Sequence, residues 1–247
     1  MTILVFGEGN SEENVCNELK KRFEIQLKYE PAKGNRDAIN KMVLNRIRPL
    51  LQEEESVLCV ILYDLDSHEN KTEADINASI FGREGWLRKI DIFSEIDFQN
   101  IAEQHSSHEN LYTLSLSEFK FNLAIHIATK RWKKSFTKSA IDDYVLELAL
   151  RPNTAAKLAK FINISPDKVI AKITQEIPDL LKANANGQDN LTEAKDYVRL
   201  YAAVLKLHTS PAVFAGKTMA NADEQDIREI FQPLIAAFEF VGGADAI

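Results

Sequence analysis

Two apolar runs, each closed by carboxylates, set the pattern of the first half of this chain. Val57-Leu58-Cys59-Val60-Ile61-Leu62-Tyr63 is continuous, is bounded by charge and ends in Asp64-Leu65-Asp66. Such a run predicts a strand buried on both faces of a parallel sheet. Ile3-Leu4-Val5-Phe6 is a second strand of this kind and leads into Gly7-Glu8-Gly9-Asn10-Ser11-Glu12. Behind it, Val15, Cys16, Leu19 and Phe23 recur at helical spacing, which predicts a helix capped by Ser11 and running to about Phe23. Ile25 to Tyr29 alternates apolar and polar residues, as a short, more exposed strand does, and Pro31 and Gly34 end it. Ile39, Met42, Val43, Ile47 and Leu50 then share one face of a helix from Asp37 to Leu51. The order β-α-β-α-β implies a parallel sheet with right-handed crossovers.

From Ser67 to Glu84 the chain is polar and weakly periodic, as a loop or short helix over the C-terminal edge of the sheet would be. Ile90 to Phe98 is ambiguous, and Leu111 to Leu116 is another strand, followed at once by Ser117-Glu118. Helical spacing then takes over in Leu123 to Trp132, Ala140 to Leu150, Thr154 to Ile162, Pro166 to Ile177, Leu191 to Leu207 and Glu224 to Phe240. The expected fold is α/β, a parallel-sheet domain over residues 1–120 followed by a mostly helical region over 121–247. Within that region 154–174 has the spacing of a helix-turn-helix, with Ser165-Pro166 opening its second helix. The same spacing also suits two helices that merely pack together.

Composition narrows the setting. With 45% hydrophobic and 27% charged residues in 247, the chain can bury a core and has no low-complexity tract. Its net charge of −7 and pI near 5.4 argue against non-specific coating of nucleic acid, while leaving room for a local basic patch. Cys16 and Cys59 both lie in apolar periodic segments and read as two reduced buried thiols, which fits a cytoplasmic location. No apolar run approaches the ~18 residues that cross a membrane, and the N-terminus enters a strand directly, so neither a membrane partner nor a signal peptide is expected.

The main chemical signal is acidic. Glu8, Asp64 and Asp66 follow buried strands, at the edge where α/β sheets collect ligands. The period of two puts Asp64 and Asp66 on one side. Glu12 and Glu118 are further candidates. Carboxylate oxygens are hard ligands that suit Mg2+ or Mn2+, and a cation offsets the repulsion between clustered carboxylates. The alternative is that these side chains face solvent or cap helices. Lys130-Arg131-Trp132-Lys133-Lys134, with Phe136 and Lys138, is the dense basic run. It suits either phosphate tracking with base stacking or a solvated helix end, which one short helix beyond Glu118 would carry. His105 and His108 have ligand spacing in a polar stretch, His126 reads as a packed helical residue, and Ala215-Gly216-Lys217-Thr218 lacks the first glycine of a phosphate loop.

The acidic motifs resemble the Toprim domain of topoisomerases, bacterial primases and the overcoming-lysogenization-defect nucleases. Phe6-Gly7-Glu8-Gly9 is similar to that family's glutamate after the first strand, and Asp64-Leu65-Asp66 to its Asp-x-Asp after the third. The nuclease branch has a second acidic residue four positions after the glutamate, which Glu12 matches. The family's glycine shortly after Asp-x-Asp is replaced, with His68 near that point. Over residues 1–120 the resemblance implies a Mg2+-dependent phosphodiester-processing enzyme acting on nucleic acid. Asp64 and Asp66 would be metal ligands, Glu8 a ligand or general acid/base, and Glu12 a ligand to a second metal. Lys130, Arg131, Lys133 and Lys134 would bind the nucleic acid. The other reading is a regulatory module that keeps the scaffold without catalysis and binds a protein or nucleic-acid partner.

Overall fold

The structure, a computed structural model, describes residues 1–33, 36–66, 72–160, 162, 164–188 and 190–243; for Asp66 and Glu73 it describes the backbone alone. The chain divides into two units, Met1–Ala128 with Pro233–Ile247, and Thr129–Gln232.

The first unit opens β1 (Ile3–Gly7), α1 (Asn10–Phe23), β2 (Leu27–Pro31), α2 (Arg36–Gln52), β3 (Val57–Tyr63), which is the expected alternation. A two-residue strand, β4 (Leu65–Asp66), follows. Then come α3 (Glu73–Phe81), two 3-10 turns, α4 (Phe98–Ile101) and the hairpin β5 (Glu103–His105) and β6 (His108–Leu116). The next strand is β7 (Phe121–Ile127). The main sheet has the order β2-β1-β3-β7-β6-β5, with β2, β1, β3 and β7 parallel and β6 antiparallel to both of its neighbours, β7 and β5.

Each crossover is right-handed when α1 and α2 lie on opposite faces, because β2 is to one side of β1 and β3 to the other. The burial pattern agrees. Ile39, Val43, Ile47 and Leu51 of α2 join Leu4, Phe6, Cys59, Ile61, Tyr63, Leu123 and Ile125 in one core, which α3 and the 3-10 turns complete through Ile76, Ile80, Leu87 and Phe93. Val15, Cys16, Leu19 and Phe23 of α1 are buried outside that core, on the face to which Val5 and Val60 point. Asn122 on that face donates its side-chain amide to the carbonyl of Val241 at 3.4 Å, which fastens the C-terminal helix to the sheet.

Four expectations are corrected here. Helix α1 begins at Asn10 behind Gly9 and has no side-chain cap, so Ser11 is not its N-cap. The stretch Leu123 to Trp132 is not helical: Phe121–Ile127 is a strand, and the first unit runs on to Ala128 rather than ending near 120. Its run Phe-Asn-Leu-Ala-Ile-His-Ile alternates, with Phe121, Leu123, Ile125 and Ile127 in the α2-side core and Asn122, Ala124 and His126 on the other face, which is the period of a strand and not of a helix. His126 is therefore a buried strand residue.

The second unit holds α5 (Ile141–Ala149), α6 (Pro152–Leu158), α7 (Pro166–Ala171), α8 (Ile177–Asn184), α9 (Ala194–Val204), α10 (Pro211–Asn221) and α11 (Glu224–Ile230). Every residue of α5 except Glu147 is buried, and α6, α9, α10 and α11 pack against it. A π turn over Lys172–Glu176 joins α7 to α8. Helices α6 and α7 contact each other in the order a helix-turn-helix requires, although residues 161 and 163 of their connection lie outside the described residues. The predicted helix Glu224 to Phe240 breaks at Phe231, and α12 (Gln232–Gly242) continues in the first unit. Helix α10 was not anticipated. Ala215-Gly216-Lys217-Thr218 lies inside it with Thr218 buried, so these residues form no phosphate loop.

Candidate functional site

Strands β1 and β3 are parallel neighbours in the register Leu4↔Cys59, Val5↔Val60, Phe6↔Ile61. Continued past their ends, that register sets Glu8 level with Tyr63, one residue before Asp64, on strands about 4.8 Å apart. The chain leaves β1 towards β2 on one side and returns to β3 on the other, so the direction of winding reverses between β1 and β3. Open α/β sheets form a ligand crevice at such a switch point, outside the carboxyl ends of the strands. Glu8 and Asp64 are both there, and both are half-buried.

Glu12 joins them from the first turn of α1. It is only 5% exposed, and one carboxylate oxygen stands 3.7 Å from the place a Cβ on Gly9 would take. Tyr29, on β2, lies within electrostatic reach of Glu12, Asp64 and Glu13. Burial pushes its phenol far above the ordinary value, and the negative charges of Glu12, Asp64 and Glu13 push it the same way, so Tyr29 is a fixed hydrogen-bond donor. Its hydroxyl donates to the carbonyl of Gly9 at 2.9 Å. Sequence reasoning placed Tyr29 on an alternating strand but missed its role, because its seat beside the Gly-Glu-Gly turn follows from the register of β2 on β1.

The turn itself is held from one side. The amide of Ala32 donates to the carbonyl of Gly7 at 2.9 Å, that of Lys33 to the carbonyl of Glu8 at 3.1 Å, and Tyr29 to that of Gly9. Three successive carbonyls are thus bound by one segment, which fixes the backbone that carries Glu8. Cys16 and Cys59 are separate buried thiols, both raised by burial, Cys16 also by Glu12 and Glu13, and so unreactive.

Asp66 follows in β4, but its side chain, like residues 67–71 with His68, lies outside the described residues. Among the described residues no three His, Cys, Asp or Glu side chains stand together as a set able to hold a metal ion.

Glu118 does not belong with this group. Strand β6 runs antiparallel to β7, Leu116 pairs with Phe121, and the amide of Val57 donates to the carbonyl of Lys120, so Glu118 stands at the amino end of β3. The seven residues of β3 separate it from Asp64 by roughly 20 Å at about 3.3 Å per residue. A strand end is visible in sequence; the direction of the strand in the sheet is not.

The basic run is irregular chain, not a helix end, and belongs to the second unit. Arg131 pairs with Glu147 at 2.7 Å and lies over the Tyr144 ring at 5.3 Å. The Lys133 ammonium sits 4.7 Å from the Trp132 ring and 4.4 Å from that of Tyr197, and donates to the Tyr197 hydroxyl. Lys130 reaches the carbonyl of Lys134 at 3.4 Å, and Lys134 is exposed. Two of the four cations are thus engaged internally. His105 and His108 are stacked on the β5–β6 hairpin with ring centroids 5.0 Å apart, and the amide of Ser107 donates to His105 Nδ1.

No protein-family model and no curated protein sequence matches the chain. A solved structure does: a hypothetical protein from Pyrococcus horikoshii OT3, with a TM-score of 0.51 at 12% identity, covering 98% of this chain and 96% of that one. The likeness shows the fold alone. Both chains are α/β with a helical C-terminal region. Among the described residues no helix is long and apolar enough to cross a membrane.

Proposed function

We propose that this chain is a Mg2+- or Mn2+-dependent phosphodiester-processing enzyme acting on nucleic acid, a nuclease of Toprim type. The observation that supports this most is the placement of Glu8 and Asp64 at one edge of the sheet, beside its switch point, with buried Glu12 and the protonated Tyr29 near that edge. The donor chemistry is that of a hard divalent cation, carboxylate oxygens whose mutual repulsion a cation offsets; since no three described side chains stand together as a complete set, the reading needs Asp66 to complete it. Glu8, Asp64 and Asp66 would hold one ion and Glu12 would contribute to a second. When bound, the metal would orient a phosphate and stabilise charge on its oxygens. The protein's own part is to fix the turn that carries Glu8, through β2, and to offer Glu8 as a proton acceptor at the mouth of the crevice. A cytoplasmic setting belongs to the same reading, since Cys16 and Cys59 are separate thiols.

The test is Mn2+- and Mg2+-dependent cleavage of single- and double-stranded DNA and RNA by wild type, Asp64→Asn and Glu8→Gln. Loss of cleavage in both variants, with the fold intact by circular dichroism, is expected. Cleavage equal in all three assigns the activity elsewhere.

A second reading, a non-catalytic module that binds a protein partner, is favoured by the internal engagement of Arg131, which Glu147 neutralises, and of Lys133, which is held against Trp132 and Tyr197.

A further inference from the structure

We infer that Tyr29 is a positioning residue of the carboxylate site: its hydroxyl clamps the Gly9 carbonyl, and so sets where Glu8 and Glu12 point. The inference rests on the reading of Glu8, Glu12 and Asp64 as one site.

Tyr29 pairs with Val5 in the sheet, and the parallel register of β2 against β1 carries its ring past Gly7 towards the start of α1. The ring fills the space that a side chain on residue 7 would need, since a Cβ there would fall 2.5 Å from the hydroxyl oxygen. Gly7 is therefore the residue that lets the ring in. From that seat the hydroxyl reaches over Glu8 to the carbonyl of Gly9, which is the residue immediately before α1.

The contact ties together both acids of the turn. Glu8 lies between the glycine the ring covers and the glycine the hydroxyl binds. Glu12 lies in the helical turn that Gly9 opens, and the Gly9 carbonyl accepts from the amide of Glu13 at 3.4 Å. A carbonyl that accepts both from a fixed phenol and from the helix is held in two directions, so the helix start cannot rotate without breaking one of them. The other two carbonyls of the turn are bound by main-chain amides of Ala32 and Lys33, which any residue supplies. Only the third depends on a side chain, and that is why one substitution can release it.

A phenol suits this place better than an alcohol, an amine or a carboxylate. It is rigid, it stays protonated beside negative charges, and it brings no charge of its own to compete with a cation. A serine is too short to span from β2, and a lysine would pair with the carboxylates and oppose a metal ion.

The test compares wild type with Tyr29→Phe, which keeps the ring and removes the donor. Hydrogen exchange of the amides from Glu8 to Glu13 is followed by NMR, and Mn2+ affinity by calorimetry. Exchange in this stretch is expected to quicken about tenfold while the interior of β1 and β3 keeps its protection, as loss of one buried hydrogen bond implies. Mn2+ affinity is expected to fall several-fold, and cleavage to lose kcat with KM for nucleic acid unchanged. Unchanged exchange overturns the inference whatever the metal does. A wild type that takes up no Mn2+ sinks the metal reading, and Tyr29 then stands or falls on the exchange result. If Tyr29→Phe does not fold, Tyr29→Trp, which keeps an aromatic body and moves the donor, gives the same two readouts.

Discussion

Gly7 lies directly under Tyr29: a Cβ on Gly7 would stand 2.5 Å from the Tyr29 hydroxyl oxygen and 3.2 to 3.3 Å from its ring carbons. Gly9 differs, because a Cβ there would meet only Glu12, at an ordinary 3.7 Å, and its backbone is extended. Of the two glycines flanking Glu8, space requires only the first. Gly7→Ala should therefore destabilise the chain by about 1–3 kcal/mol, the usual cost of forcing an atom into a filled site. Gly9→Ala should cost much less. Denaturant titration of both, and of Gly7→Ala with Tyr29→Phe, checks this: the double variant should recover part of the loss, since the oxygen goes but the ring carbons remain. Equal costs at the two glycines would contradict the packing described.

The carboxylates at the sheet edge set stability against binding. Replacing Asp64 by Asn removes a charge that repels Glu12 and raises the Tyr29 phenol, so without metal the variant should be as stable as wild type or up to about 1 kcal/mol more so. With Mg2+ or Mn2+ in excess the wild type should rise in Tm and the variant should not, because only a folded state that binds the ion gains from it. Thermal melts with and without the ion decide the matter. A variant that melts lower without metal, and still rises with it, would show that Asp64 serves the fold and not a cation.

Asp143 gives the second unit a pH dependence. Its carboxyl, 1% exposed, is pushed up to about 7 by burial, against hydrogen bonds from the amides of Ala140 at 3.0 Å and Arg131 at 3.4 Å, which act the other way. The folded group therefore holds its proton over a range where the unfolded one has lost it. Below about pH 4 both states are protonated and nothing is lost; from there to about pH 7 stability falls as pH rises, by a few kcal/mol at most. Asp143→Asn does not titrate and can still accept from Ala140. Its stability relative to wild type should improve steadily between pH 4 and 7, as urea titrations across that range would show. A difference that stays flat would mean that the carboxyl is ionised throughout.

The basic run should behave as two pairs. Lys130→Ala with Lys134→Ala should flatten the salt dependence of nucleic-acid binding by about 0.9 unit per lost phosphate contact, and leave stability unchanged. Arg131→Ala with Lys133→Ala should lower stability, through the lost Glu147 pair and the lost cation over Trp132 and Tyr197, by about 1–2 kcal/mol, with little effect on the salt slope. A salt series and a denaturation curve on each double variant separate the roles. Equal slopes lost by both pairs would return all four residues to the binding surface.

The sequence by itself determined the elements of the parallel sheet and where its acids fall along the chain. A doubly buried strand must be continuously apolar, and the helices beside it must present one apolar face, so Val57–Tyr63, Ile3–Gly7 and the α2 face of Ile39, Val43 and Ile47 were legible from spacing alone. At Phe121–Ile127 the period of two was present in Phe121, Leu123, Ile125 and Ile127, but the helical spacing expected from Leu123 onward was set over it, and pairing with β3 and β6 shows the strand. Tertiary structure also decided which strand ends share an edge. Glu8 and Asp64 follow parallel neighbours and share an edge, whereas Glu118 follows an antiparallel strand and lies at the opposite end of the sheet, a difference of direction that no local pattern encodes. Tyr29 came into view for the same reason. Its neighbours Gly7 and Gly9 are some twenty residues away in sequence, and contacts of that range arise from register between strands, which is fixed by the packing of the whole sheet.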